Sequence, residues 1–221
     1  MTVKMNIREQ ICEIGRRVSV NGFVAANDGN ISVRTGENEF YTTPTGVSKG
    51  YMTPDMIIKI DRDGNVLEGT LRPSSEVKMH LRVYAERPDV GAVVHAHPPH
   101  ATGFAVARIP LDKPTMPEAV IFLGAAPLVP YGTPSTDEIP DALSPFLQRH
   151  DAFLLVNHGA LTVGPDLMTA YFKMETLECY AKVSLIARQL GNECELSKEE
   201  VDKLVAIRKS MNLAGKHPYI D

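Results

Sequence analysis

The stretch Gly91-Ala92-Val93-Val94-His95-Ala96-His97 ends a short apolar run with two histidines separated by one residue. A short apolar run is consistent with a buried strand, and alternate side chains of a strand share a face. His95 and His97 would then point in the same direction, close enough for both rings to reach one ion at about 2.0–2.1 Å. Because polar rings at the end of a buried strand need partners to offset desolvation, the spacing predicts a metal-chelating pair.

A third histidine and a carboxylate extend this pair to a full ligand set. His158 lies in the sequence Asn157-His158-Gly159, and Glu76 follows Ser74-Ser75. Taken singly, a histidine is more often a hydrogen-bonded core or surface residue, and Glu76 would be a surface residue that stabilises a helix dipole. Three imidazoles with an exchangeable fourth position match a catalytic metal site. Histidine ligands leave zinc, manganese, cobalt and iron as alternatives.

Length and composition favour one domain that spans residues 1–221, with 43% apolar residues and a formal net charge of −4. Basic residues are outnumbered and do not cluster, so nucleic acid is not an expected partner. The first residues lack the apolar core of a signal peptide, and no apolar run is long enough to span a membrane. We therefore expect a cytoplasmic protein without a membrane partner.

Helical and strand-like patterns alternate along the chain. Ser74 is placed to cap a helix over residues 75–87, and Pro88 is placed to end it. The predicted helices cover residues 7–18, 75–87, 99–107 and 137–147, and a long helix runs from residue 167 to near Gly191. A last helix follows a Ser197/Glu200 capping box. The predicted strands, besides the one that carries the histidine pair, cover residues 31–34, 40–42, 57–60, 66–67, 120–123, 128–129, 153–156 and 161–163.

Small and hydroxyl-bearing residues are concentrated in three segments, at residues 28–30, 43–46 and 72–75. Each segment alone would ordinarily be a turn or a helix cap. Ser74 and Ser75, however, precede a helix whose free N–H groups and positive dipole end suit a phosphate or a carboxylate. The three segments are therefore candidates for an anion site.

Five motifs carry a resemblance to a known family: Asp28-Gly29-Asn30-Ile31-Ser32-Val33-Arg34, Thr43-Pro44-Thr45-Gly46, Pro73-Ser74-Ser75-Glu76, Val93-Val94-His95-Ala96-His97 and Asn157-His158-Gly159-Ala160. In this order and spacing the chain resembles the class II sugar-phosphate aldolase and adducin-head family, which includes fuculose-phosphate aldolases. The resemblance implies an α/β fold in which one three-layer α/β/α domain is built around a largely antiparallel central sheet. It also implies a homotetramer with active sites at the subunit interfaces.

The resemblance assigns roles to individual residues. His95, His97 and His158 match the family's zinc ligands, one divalent ion per chain, and Glu76 matches the carboxylate that serves as resting fourth ligand and catalytic acid/base. The positions that match the family's binding site for the substrate phosphate are Asn30, Thr45, Gly46, Ser74 and Ser75, with Gly29 beside them.

Two departures from the family pattern concern the proton donor. Glu118 stands where a fuculose-phosphate aldolase has a tyrosine, and Met211 stands at the position of a second tyrosine near the C-terminus. Tyr219 lies near that second position but outside its register. The donor would then be Tyr219 from a neighbouring chain, a bound water or another group such as Glu118.

The predicted chemistry is cleavage of a carbon–carbon bond next to a ketone, because a divalent ion can stabilise the resulting enediolate and Glu76 can move the proton. The favoured function is a metal-dependent aldolase that cleaves a phosphorylated sugar, a ketose 1-phosphate, to dihydroxyacetone phosphate and an aldehyde. A decarboxylase of a phosphorylated keto acid is the nearest alternative. A non-catalytic module like the adducin head would need neither ligands nor base, and a metal hydrolase would not account for the anion-binding segments.

Overall fold

One open eight-stranded sheet forms the centre of the protein in the computed structural model, which describes residues 5–220. The strands are β1 (Asn30–Gly36), β2 (Glu39–Thr42), β3 (Ile58–Ile60), β4 (Val66–Glu68), β5 (Ala92–Ala96), β6 (Leu128–Val129), β7 (Ala152–Leu155) and β8 (Gly159–Gly164). Their spatial order is β4-β3-β2-β1-β5-β8-β7-β6. All neighbouring pairs run antiparallel except β6 and β7. The largely antiparallel sheet is therefore as predicted.

Helices cover both faces of this sheet. They are α1 (Ile7–Val20), α2 (Val77–Glu86), α3 (Pro99–Ala107), α4 (Glu138–Leu147), α5 (Leu167–Gln189) and α6 (Lys198–Ser210). Buried side chains of α1, α3 and α5 pack on one face, and those of α2 and α4 pack on the other. The predicted three-layer α/β/α arrangement is confirmed. Among the described residues, no helix is long and apolar enough to cross a membrane.

Strand β5 is buried on both faces because helices lie above and below it. Val94 packs with the core on the α1, α3 and α5 side, whereas Val93 packs with the core on the α2 and α4 side. A strand covered on both faces is apolar at consecutive positions rather than at alternate ones. The run of apolar residues before His95 is the sequence signature of that central position.

Two sequence-based assignments are wrong. The predicted strand at residues 120–123 is a short helical turn, Ala119–Leu123, in which the Gly124 N–H donates to the Ala119 carbonyl at 2.8 Å. A short apolar run does not distinguish a strand from a buried helical turn. The helix predicted from residue 75 begins at Val77, and its capping position is occupied by Glu76 rather than by Ser74. The Ser74 hydroxyl accepts the Glu76 N–H at 3.3 Å, so it stabilises the turn before the helix.

The start of α3, which follows the histidine pair directly, is fixed by a carboxylate from α5. Glu178 accepts the backbone N–H groups of His100 at 3.0 Å and Ala101 at 2.9 Å, and it also bonds the His100 ring at 2.6 Å. These N–H groups belong to the first turn of a helix, where they have no partner within the helix. The buried Glu178 carboxylate on α5 thus takes the place of a local capping side chain, which Pro98 at the start of α3 cannot provide.

We predict that Glu178→Ala lowers the free energy of unfolding by about 2 kcal/mol, because it leaves several donors at the α3 terminus without an acceptor. Denaturant unfolding of the purified protein measures this loss. Glu199→Ala is the matched control, since the Glu199 side chain is 80% exposed and pairs only with Lys203. Equal stability of both variants would show that the Glu178 contacts are not needed for the fold.

Candidate metal and anion site

Three strand ends meet at one edge of the sheet. Strand β1 begins at Asn30, which lies opposite His95 near the end of β5. Strand β8 begins just after His158, and its Ala160 lies opposite Ala96. Antiparallel pairing therefore brings residues that are far apart in sequence to the same edge. The N-terminal end of α2, with Glu76, reaches this edge too, because the Asn30 side chain donates to Glu76 Oε2 at 2.9 Å.

The three predicted histidines converge at this edge. Their ligand atoms all lie within 4.8 Å of one another, and the Nε2 atoms of His95 and His97 are 3.2 Å apart. Strand β5 ends at Ala96, so His95 lies within the strand and His97 is the first residue after it. The Ala160 carbonyl can only accept, so His95 Nδ1, 2.9 Å away, carries the proton. The Nε2 lone pair of His95 then faces the other two rings.

Glu76 completes the cluster with a carboxylate. Its Oε1 lies 3.2 Å from His158 Nε2, and its Oε2 lies 3.4 Å from His95 Nε2. Glu76 Oε1 is buried and has no hydrogen-bond partner within the described part of the chain, and the same holds for His158 Nδ1. Burial of a carboxylate oxygen without a partner is costly. A divalent cation held by the three imidazoles would satisfy it, so these residues fit a bound metal.

The protonation states also suit metal binding. Burial alone would raise the pKa of Glu76, but its interactions with His95 and His158 and the hydrogen bond from Asn30 hold it well below its usual range. Burial, together with the neighbouring His95, lowers the pKa of His158 to about 4. Metal ligands must be an ionised carboxylate and neutral imidazoles, and these are the forms that the shifts favour for Glu76 and His158 at neutral pH.

An adjoining cavity of about 230 Å³ contains the predicted anion-binding residues. Two backbone hydrogen bonds hold the loops of this cavity side by side, from Thr45 N–H to the Arg72 carbonyl at 3.0 Å and from Ser74 N–H to the Thr43 carbonyl at 3.1 Å. The structure brings all the predicted phosphate residues together with the metal cluster at the cavity wall: Gly29, Asn30, Thr45, Gly46, Ser74, Ser75, Glu76, His97 and His158.

Glycine is needed at two positions beside the site. Gly29 has a φ of +74°, and a Cβ there would lie 2.9 Å from the His95 carbonyl oxygen. A Cβ on Gly159 would lie 2.5 Å from the His97 ring and 2.7 Å from the Ala96 carbonyl oxygen. Both glycines therefore let the backbone approach the histidine strand closely.

Two charged residues of the cavity wall, Asp28 and Lys49, were given no individual role by the sequence reasoning. Asp28 Oδ2 lies 3.4 Å from His97 Nδ1, on the side of the ring away from His95. Lys49 is only 1% exposed, and its ammonium donates to the carbonyls of Asn27 at 3.0 Å and Val47 at 2.6 Å. Asp28 adjoins the glycine of a quoted motif, which could have indicated it. A buried lysine has no such signal, because lysine is ordinarily a surface residue.

The candidate proton donors lie apart from this cavity wall in the described chain. Tyr219 packs with the small apolar cluster beside α6 and donates its hydroxyl to the Asp112 carbonyl at 2.9 Å. Glu118 is exposed just before the helical turn at Ala119–Leu123. Met211 is the residue after α6, and its side chain is 48% exposed. Donation by Tyr219 or Glu118 therefore stays a prediction.

The family described as Class II Aldolase and Adducin N-terminal domain matches residues 9–185 of the chain. The chain belongs to this family. The L-fuculose phosphate aldolase of Methanococcus maripaludis is 36% identical over 168 residues, which cover 76% of this chain and 90% of that protein. The 3-oxo-tetronate 4-phosphate decarboxylase of Escherichia coli K12 is 34% identical over 189 residues, which cover 83% of this chain and 88% of that protein.

A solved structure of an L-fuculose 1-phosphate aldolase has a TM-score of 0.86 and 29% identity to this class II aldolase, and the match covers 94% of this chain and 98% of that one. The family resemblance, the fold class and the assignment as a carbon–carbon lyase are thereby confirmed. Class II aldolases are metal-dependent, and the three histidines are placed so that they could hold such an ion.

We predict a specific pH dependence of stability from Lys49. Burial lowers its pKa from 10.5 to about 8, so between these values the folded protein releases a proton that the unfolded chain retains. Stability rises with pH wherever the unfolded state binds more protons. From pH 8 to 10.5 the stability of the wild type should therefore rise relative to that of Lys49→Met. Denaturant unfolding across this range measures the difference, and parallel pH curves would contradict the shift.

Proposed function

We propose that this class II aldolase is a metal-dependent aldolase that cleaves a ketose 1-phosphate of the fuculose or ribulose type to dihydroxyacetone phosphate and an aldehyde. The observation that supports this proposal most strongly is that one cavity contains both candidate metal ligands and candidate anion-binding residues. His97, His158 and Glu76 of the cluster lie on one part of its wall, and the hydroxyl and glycine segments lie on the other. A ketose 1-phosphate carries its phosphate next to the ketone, so it would reach both parts at once.

Different residues of the site would have different roles in this reaction. Glu76 would move the proton at C3 of the three-carbon product after the bond between C3 and C4 breaks. A bound divalent ion, proposed to be zinc with manganese, cobalt or iron as alternatives, would supply Lewis-acid stabilisation of the developing oxyanion. Tyr219 of a neighbouring chain, Glu118 or a water molecule would exchange the proton of the aldehyde oxygen. The loops around Thr45 and Ser75 would hold the phosphate and so fix the position of C3.

We predict that the purified protein contains one divalent ion per chain and that His97→Ala loses most of it together with turnover. Three imidazoles hold the ion, and removing one leaves an incomplete ligand set. Elemental analysis measures the metal content. His150→Ala is the control, because His150 lies outside the cluster and bonds only the Ala125 carbonyl through its ring. Unchanged metal content in His97→Ala would refute the ligand assignment.

The phosphate location gives a further prediction. Ser75 is exposed at the cavity wall, at the N-terminal end of α2. Ser75→Asp places a negative charge where the phosphate would bind, so it should raise KM for phosphorylated substrates by about 100-fold or more, since like charges in one site repel strongly. Ser75→Asn, of similar size and neutral, is the matched control. An equal KM in both variants would exclude charge repulsion and hence this location.

We also propose that each chain folds as one domain over residues 1–221 and assembles into a cytoplasmic homotetramer with active sites at its interfaces. This proposal follows the family. Helix α5 supports it, since Phe172 and Ile186 are 51% and 45% exposed and offer apolar surface that an assembly could cover. The placement of Tyr219 outside the cavity wall of its own chain agrees with a donor that acts across an interface.

A decarboxylase of a phosphorylated keto acid is the second candidate. The relative from E. coli that is 34% identical is named for that reaction, and Glu118 and Met211 replace the two tyrosines expected of a fuculose-phosphate aldolase. Loss of carbon dioxide needs no proton donor at the departing carbon, so a decarboxylase would tolerate both replacements. A non-catalytic interaction module is disfavoured, because it would not need the four converging ligand residues.

One experiment separates these candidates. The metal-loaded aldolase should exchange the prochiral C3 proton of dihydroxyacetone phosphate with deuterated water, as followed by NMR. Glu76→Gln should slow this exchange by about 100-fold or more, because general acid–base catalysis contributes at least that much, while it keeps the metal. Elemental analysis of the same sample serves as the control. Absence of exchange in the wild type, together with release of carbon dioxide from a phosphorylated keto acid, would favour the decarboxylase.

A further inference from the structure

A chain of buried polar side chains leads from Glu76 into the layer between α2 and β1. Asn30 Nδ2 lies 2.9 Å from Glu76 Oε2, and Asn30 Oδ1 lies 2.5 Å from His80 Nε2. His80 Nδ1 lies 2.7 Å from the Ser32 hydroxyl, which lies 2.8 Å from the hydroxyl of Tyr84. Glu76, His80 and Tyr84 follow one another at intervals of four residues, so they lie on one face of α2.

The direction of every hydrogen bond in this chain follows from its fixed end at Glu76. An ionised Glu76 can only accept, so Asn30 must turn its NH₂ group toward Glu76 and its carbonyl toward His80. That carbonyl can only accept, so His80 must carry its proton on Nε2 and accept at Nδ1. The donor to Nδ1 is the Ser32 hydroxyl, which then accepts from Tyr84. Every donor points toward Glu76.

Burial holds this arrangement in a single protonation state. Ser32 and His80 are each 1% exposed and Tyr84 is 4% exposed, so water does not compete for their hydrogen bonds. Burial, together with the nearby His95, lowers the pKa of His80 to about 3, so the ring stays neutral at neutral pH. Burial also raises the pKa of Tyr84, so its hydroxyl keeps the proton that it donates.

We propose that Tyr84, Ser32, His80 and Asn30 form a one-way hydrogen-bond relay that orients Glu76 and makes Oε1 the oxygen that moves the proton. Oε2 is occupied by the Asn30 donor, whereas Oε1 has no hydrogen-bond partner among the described residues and lies 3.2 Å from His158 Nε2. His80, Ser32 and Tyr84 are therefore positioning residues that act through Asn30. The kinetic part of this proposal rests on the proposed function, in which Glu76 transfers the proton.

The relay also links the base to the anion pocket. Asn30 lines the cavity, and one of its two Nδ2 hydrogens is used by Glu76. The other is available to a phosphate or hydroxyl of the substrate. Since Glu76 and His80 together fix which way the carboxamide faces, Asn30 presents a donor rather than an acceptor to both groups. Reversal of the carboxamide would place its oxygen against the Glu76 carboxylate, which is electrostatically unfavourable.

The tautomer of His80 provides a direct test that needs no substrate. In protein labelled with ¹⁵N, the two ring nitrogens of a neutral histidine have distinct chemical shifts, depending on which one carries the proton. Comparison with a His80→Gln sample assigns the signals. The relay requires the proton on Nε2, both after chelator treatment and after loading with Zn²⁺. A proton on Nδ1, or on both nitrogens, would reverse the direction of the bonds and overturn the proposal.

Kinetics of C3 proton exchange in dihydroxyacetone phosphate test the consequence. His80→Leu should lower kcat by about 10- to 100-fold with a smaller change in KM, as loss of an outer partner of a ligand does. His80→Gln should recover most of the rate, because its amide can still donate to Asn30. Equal losses in both variants, or a wild-type kcat in His80→Leu, would show that the donor is not needed. Elemental analysis confirms that each variant keeps its metal.

Tyr84→Phe provides a second test of the relay in case the His80 variants do not fold. It removes only the terminal hydroxyl and keeps the ring, which stacks on Phe40 at 4.9 Å. We expect a fall of about threefold to tenfold in kcat, as for a network bond one step further out. Tyr171→Phe is the matched control, since Tyr171 is 1% exposed and its hydroxyl bonds Asn21 and Glu175, outside the relay. Equal rates in both variants would overturn the relay.

Failure of the relay differs from failure of the proposed function. If the wild type does not exchange the C3 proton, or if Glu76→Gln exchanges it normally, the proposed function fails and the His80 tautomer still decides the direction of the bonds. If Glu76→Gln is inactive but His80→Leu and Tyr84→Phe exchange at the wild-type rate, the relay fails and the proposed function stands.

Discussion

The position of β5 between β1 and β8 is the constraint on which the rest of the site depends. Its antiparallel pairing places His95 opposite Asn30 on one side and brings Ala160 next to Ala96 on the other. Backbone hydrogen bonds fix both registers, and a shift by one residue would turn every side chain of β5 to the opposite face. The sheet thus holds three distant chain segments in a geometry that no single loop could maintain.

The central position of β5 also sets the electrostatics of the site. Helices on both faces exclude water, so polar groups at the strand end must be satisfied by one another. The His95 ring is fixed by the Ala160 carbonyl, and Glu76 is held by Asn30 and by the neighbouring imidazoles. Where a group remains unsatisfied, at Glu76 Oε1, the arrangement calls for a cation or a proton.

The anion pocket depends on close backbone packing beside this rigid edge. Gly29 approaches the His95 carbonyl, and Lys49 joins the loops at Asn27 and Val47 through its ammonium group. Small residues leave room for a ligand and expose backbone N–H groups, while the buried lysine supplies a positive charge without reaching into solvent. The candidate metal ligands and the candidate anion-binding residues consequently line the same cavity. The aldolase and decarboxylase relatives are named for reactions of phosphorylated substrates.

The sequence by itself determined the periodic elements, the histidine pair on β5 and the set of small residues around the cavity, because strand alternation, helix spacing and turn chemistry are local properties. The resemblance to the family added the roles of Glu76 and His158. Only the tertiary structure decided that residues 119–123 are helical, that Glu178 caps α3 and that His80 contacts Asn30. Each of these three features depends on partners that are distant in sequence. Burial strengthens such contacts, but it leaves no periodic pattern along the chain from which they could be predicted.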